Sequence, residues 1–159
     1  VDPMYLWLKL LHILAVVMFI GNITTGVFWH RHAARTRNPR LLAHTMDGII
    51  RSDRLFTMPG IMVIIATGVI AAVQAGLPLL RTGWIAWTLA LFAVSGLLFM
   101  FRVAPLQRQL RTLAEAGAAS GSFDYDAYHR VALGWEIWGA GATLTPVLAL
   151  ALMVLKPAI

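Results

Sequence analysis

The 159-residue sequence contains no cysteine. Disulfide frameworks, thiolate metal sites and thiol catalysis are excluded with it. Charge is scarce as well: Asp, Glu, Lys and Arg together make up 13% of the chain, against roughly 25% in a soluble globular domain. Acids are the scarcer sign, 7 against 13 Lys and Arg. There is no Gly-rich phosphate loop, no zinc-protease histidine pair and no nucleophile elbow. No internal repeat and no second domain is visible. What is abundant is apolar: 59% of the residues. Such a composition excludes a disordered or collagen-like chain and points to an integral membrane protein.

A transmembrane helix needs about 20 mostly apolar residues. Four stretches qualify: 4–29, 55–75, 84–101 and 133–155. Lys9 is the only formal charge in the first and Glu136 the only one in the last. No strand alternation is present to build a barrel, so the spans are helices, the other structure that satisfies its backbone in lipid. The first stretch reads as a span rather than a cleaved signal peptide. Its apolar run is too long, no small-x-small site follows, and His30-Arg31-His32 come after it as a stop-transfer flank. The expected fold is all-α, a single-domain bundle of four transmembrane helices with both termini on the same, outer side.

The net charge of +6 is placed asymmetrically. Arg31, Arg35, Arg37, Arg40, Arg51 and Arg54 fall between spans one and two. Arg102, Arg108, Arg111 and Arg130 fall between spans three and four. Only Lys9, Arg81 and Lys156 remain for the other side. The positive-inside rule makes the two basic loops cytoplasmic, and the charge reads as topology and lipid contact rather than nucleic-acid binding. The expected location is a bacterial inner membrane. The six tryptophans, Trp7, Trp29, Trp84, Trp87, Trp135 and Trp138, sit near span ends and read as an interfacial belt.

Asn38-Pro39 is a helix start, and Leu42, Met46 and Ile49 recur behind it at helical spacing. This predicts a short interfacial helix running into span two. Pro59 is expected to loosen one turn. Span three is expected to continue past Arg102 until Pro105 interrupts it, with Leu106, Leu110 and Leu113 forming a stripe beyond. Ser122 or Asp124 is the expected cap of the helix entering span four. The short connection between spans two and three predicts antiparallel neighbours. Gly21, Gly26, Gly68, Ala72, Gly134, Gly139 and Gly141 mark expected points of helix approach.

Ionisable groups inside a span default to functional hypotheses. His12 and His30 are eighteen residues apart, five whole turns, so they share a face about 27 Å apart. On span four, His129, Glu136 and Thr143 recur every seven residues as a polar stripe. Asn22 adds polarity midway along span one. An imidazole on a transmembrane helix is a ready axial ligand for haem b. His12 is the first candidate. Met153 is a candidate sixth ligand. His30 with His44 or His129 offers a second site, and Lys9 and Arg81 are candidate propionate partners. A second reading gathers His30, His32, His44, His129 and Glu136 near the cytoplasmic face as a copper, zinc or proton site. His12, His30 and His44 are its candidate metal ligands, and Asn22, Glu136 and Thr143 its proton-path groups. In that setting Glu136 is also expected to pair with Arg31, Arg51 or Arg54.

The run Leu8-Lys9-Leu10-Leu11-His12-Ile13-Leu14 resembles the opening of a clan of small bacterial membrane proteins. The clan includes HemJ-type protoporphyrinogen oxidases, CopD-like copper-resistance domains and an uncharacterised four-helix family, to which the chain looks closest. Gly83-Trp84-Ile85-Ala86-Trp87 and Val154-Leu155-Lys156-Pro157 are similar to the start of the clan's third span and to its C-terminal end. In HemJ-type proteins the histidine of Lys-x-x-His is implicated as a haem ligand, so the resemblance implies that role for His12. Thr88 stands where those proteins carry a lysine, and Glu136 lacks their Asn-Glu-x-Pro setting. Together these readings give an inner-membrane b-type haem protein in electron transfer or haem-linked redox chemistry. It would act with a membrane redox partner, and a homodimer would supply a second His12. The alternative is a non-enzymatic accessory subunit or a small transporter of copper or protons with structural histidines.

Overall fold

A computed structural model of the chain describes residues 2–158. Among them there is no strand, and the helices fall in six stretches: α1 (Pro3–Ala34), α2 (Pro39–Ser52), α3 (Met58–Gln74), α4 (Gly83–Leu98), α5 (Ala104–Ser120) and α6 (Tyr125–Leu155). α2 runs into α3 through a π-helical turn, Asp53–Thr57, and α4 runs into α5 through another, Phe99–Val103. The chain is thus four rods, all long and apolar enough to cross a membrane.

The caps follow from the sequence. The Asn38 side chain accepts from the backbone of Arg40 and Leu41, with Pro39 at the first helical position. Asp124 accepts from the Ala127 N–H at 2.9 Å, so Asp124 rather than Ser122 caps α6. α5 stops at Gly121, whose φ of 70° lies in the left-handed region that closes helices.

Both π turns precede a proline. Pro59 has no N–H for the Leu55 carbonyl, and Pro105 has none for Phe101. The residue before each proline reaches back five residues instead, Met58 to the Asp53 carbonyl and Ala104 to the Phe99 carbonyl. Pro105 therefore does not interrupt its helix, contrary to expectation: a single wide turn absorbs it. α1 also outruns its apolar stretch. His30, Arg31 and His32 lie inside its last turns rather than beyond its end.

Two apolar clusters form. The larger joins the ends of α1 and α6 to α2 and α5 through Ala33, Leu42, Met46, Ile49, Leu110, Ala114, Tyr128 and Trp135. The expected stripes on α2 and α5 are its contacts. The smaller, Ala15, Phe19 and Ile64 with Phe92 against them, lies in the apolar halves. There α3 packs on α1 and α4 packs on α6, where the buried Ser95 hydroxyl donates to the Ala142 carbonyl at 2.6 Å. The backbones of α3 and α4, though joined by residues 75–82, do not approach each other closely. The short loop sets their antiparallel order, and α4 reaches the cluster formed by α1 and α3 through the Phe92 ring. Small residues do mediate several approaches: Gly26 meets Ile49, Gly60 meets Phe19 and Gly141 meets Leu98. Gly21 and Gly139, by contrast, have no neighbour among the described residues within 4 Å of where a Cβ would stand.

The loops after α1 and before α6 share one end of the bundle. The Tyr125 hydroxyl donates to the Ala34 carbonyl at 3.2 Å, and Arg37 stacks over the Tyr125 ring. We refer to it as the basic end. Five tryptophans are exposed or partly so, with Lys156 over Trp84 and Arg102 over Trp138. Trp135 is not an interfacial anchor. It is 4% exposed, edge-on to the His30 ring at 4.9 Å.

Candidate functional sites along the first helix

α1 carries three polar side chains, His12 and His30 on one face and Asn22 about 80° round from it, separated by about 15 Å and about 12 Å along the axis. Each is bonded to a different element, so α1 is the spine on which the candidate sites are strung.

His12 meets α3. Its Nδ1 lies 3.0 Å from the Ile64 carbonyl oxygen and 3.0 Å from the Thr67 hydroxyl. A carbonyl only accepts, so Nδ1 carries the ring proton and donates it. Thr67 in turn donates to the Val63 carbonyl at 2.6 Å. Nε2 keeps its lone pair and, among the described residues, has no hydrogen-bond partner. The ring fits because residue 68 is glycine: a Cβ there would stand 3.1 Å from His12 Cε1. Lys9 and Arg81 are exposed, and Met153 is half-buried on α6.

Asn22 meets the first π turn. Its amide donates to Asp53 Oδ1 at 3.1 Å and to Thr57 Oγ1 at 2.9 Å. Thr57 donates to Asp53 Oδ1 at 2.8 Å, and Gln107 of α5 donates to Asp53 Oδ2 at 2.8 Å. Asp53 is 7% exposed.

His30 meets α6. It is 1% exposed, with Nε2 at 3.0 Å from the Tyr128 hydroxyl and Nδ1 at 3.8 Å from Glu136 Oε1. Glu136 Oε2 accepts from Arg31 at 2.7 Å. Of the three arginines expected for Glu136, Arg31 is the one that reaches it. The Nδ1 of His30 and the indole N–H of Trp135 are buried with no hydrogen-bond partner among the described residues. A cleft of about 360 Å³ opens beside them, lined by His30, Arg31, Tyr125, Tyr128, His129 and Glu136 among others. His129 reaches this cleft by stacking on Tyr125. Thr143 does not: its hydroxyl turns back to the Gly139 carbonyl of its own helix. His44 is exposed on α2. Among the described residues no three His, Asp or Glu side chains converge as a metal-binding group.

Sequence reasoning missed Asp53, Thr57, Gln107, Thr67 and Tyr128. Asp53 and Thr57 were legible as an i, i+4 polar pair placed just before a proline at the start of an apolar run. Gln107 and Tyr128 carry no such signal, since their roles arise only when distant helices meet.

Four apolar rods long enough to cross a bilayer, tied together by polar side chains along α1, define an integral membrane protein of helical type. Residues 6–157 match the model of the family described as predicted integral membrane protein, DUF2269, and the chain belongs to that family. Comparison with curated proteins and with solved structures gives no significant match.

Proposed function

We propose that the protein is a small b-type haem protein of a bacterial inner membrane, acting in electron transfer or haem-linked redox chemistry, with His12 as axial ligand. One observation carries this reading: the Nδ1–H of His12 is held by the Ile64 carbonyl, which leaves Nε2 as an unshared lone pair. A ligating histidine characteristically donates its other ring N–H to a carbonyl, which fixes the tautomer and raises the basicity of the ligating nitrogen. The residue set therefore fits the group. His12 would hold the iron, and Lys9, one turn away and exposed, would meet a propionate. Bound haem would supply one-electron chemistry. The chain's part is to orient the imidazole through Ile64 and Thr67 and to make room for it at Gly68. A kinship with HemJ-type and CopD-like proteins belongs to this proposal, through His12 alone. So do cytoplasmic basic loops, outer termini, a membrane redox partner and a homodimer.

The test is the absorption spectrum of detergent-purified protein, oxidised and dithionite-reduced, from cells supplied with haem precursor. A Soret band with sharpened reduced bands, lost in His12→Ala, is expected. A protein that stays colourless through haem titration overturns the reading.

The second reading, proton or copper handling by an accessory or transport protein, is favoured by the cleft at His30, His129 and Glu136. It predicts that Glu136→Gln abolishes ion flux in reconstituted vesicles while His12→Ala leaves it intact. The haem reading predicts the reverse dependence for colour.

A further inference from the structure

The acids of the bundle are not treated alike. Glu136 has Arg31, Asp47 has Arg51 and Arg111, and Glu115 has Arg111. Asp53 is more deeply buried than any of them and, among the described residues, has no cation. Its partners are the Asn22 amide, the Thr57 hydroxyl and the Gln107 amide, brought in from α1, the π turn and α5. The arginines on the adjoining elements, Arg51 and Arg54 on its own rod and Arg102 and Arg108 on the facing one, are exposed to the outside of the bundle. α1 presents no charged group at the level of Asn22.

A lone buried carboxylate is costly without a counter-charge. Three charge-assisted hydrogen bonds offset part of that cost for the ionised form. The same partners also serve the neutral form. An amide or a hydroxyl turns from donor to acceptor by rotating, whereas a guanidinium only donates. A network of neutral, reversible partners is what a carboxyl group needs if it is to be held in both states at one buried position. The place is also distinctive. Asp53 is the first residue of the first π turn, and π turns inside helices are frequent at functional sites.

We propose that Asp53 is a reversible proton-binding site, gaining and losing one proton while Asn22, Thr57 and Gln107 reorient to receive each form. The proposal is independent of the haem reading, since it needs neither His12 nor a cofactor.

The test is infrared difference spectroscopy of the whole protein in lipid nanodiscs, titrated between about pH 4 and about pH 9. One carboxylic C=O band in the buried range is expected to appear as the pH falls. It is expected to be absent in Asp53→Asn, whose near-identical shape preserves the fold. Removing a donor from the ionised form favours the protonated one. Gln107→Ala and Asn22→Ala are therefore each expected to raise the midpoint of that band by roughly one pH unit. This shift is a readout that does not depend on how Asp53→Asn folds. A band that survives in Asp53→Asn overturns the proposal. So does a midpoint unmoved in both amide variants, or a band that responds to sodium at constant pH and not to pH.

Discussion

A histidine's two nitrogens decide what it does, and His12 and His30 differ in both. His12 spends Nδ1 on a backbone carbonyl and keeps Nε2 free, whereas His30 spends Nε2 on a tyrosine and turns Nδ1 toward a carboxylate. The first arrangement leaves a nitrogen lone pair open, and the second ties two helices together at full burial. Tyr128→Phe leaves His30 Nε2 buried without a partner and is expected to cost about 1–3 kcal/mol. Arg31→Ala removes an ion pair whose cation is 65% exposed, so it should cost about 1 kcal/mol or less. Denaturant unfolding in detergent ranks the two. The reverse order would mean that the ion pair, and not the Tyr128 bond, fastens α1 to α6. Gly68→Leu is a third residue-scale case. Its side chain must enter the space of the His12 ring, so it should displace the imidazole from Ile64 and abolish whatever His12 ligates, while Gly21→Leu, facing open space, should not. Retained haem colour in Gly68→Leu would show that the ring does not depend on its present seat.

At the scale of elements, the π turns matter most. Each lets a rod continue past a proline, and the first also aims Asp53 and Thr57 at Asn22. Deleting Phe56 removes one residue from that turn and rotates α3 by about 100° relative to α2. Thr67 and the Ile64 carbonyl would then leave His12 and the rod could not keep its contacts at both ends. Loss of folded protein in size-exclusion chromatography is expected, whereas deleting Ala119 from the last turn of α5 should be tolerated. Equal tolerance of both deletions would show that the turn does not set the register. The helices and their caps were legible in the sequence because hydropathy runs and Asn38, Pro39 and Asp124 are local signals. The pairing of helices was not. A short loop makes α3 and α4 antiparallel neighbours, yet the closest backbone approaches are of α3 to α1 and of α4 to α6. Asp53 was hidden for a related reason. Among six arginines it reads as one more interfacial charge, and only the arrival of Asn22 and Gln107 from other helices makes it the centre of a network.

At the scale of the whole molecule, the bundle has two unlike halves. One is closed by α2 and α5 around Leu42, Met46, Leu110 and Tyr128; the other exposes most of its apolar surface, as lipid contact requires. The basic loops fall at the closed half. The chain's lack of cysteine makes a clean topology test available. Single cysteines replacing Arg37 or Ser120 should resist an impermeant maleimide in intact cells, and one replacing Arg81 should react. The opposite pattern would invert the orientation. The central claim, that His12 holds a haem, is tested most directly by the ratio of haem to protein, measured as the pyridine haemochrome in purified wild type and in His12→Ala. The account predicts about one haem per chain, or one per two chains if a homodimer shares it, falling close to zero in the variant. Equal haem in both proteins, or none in either, would contradict it.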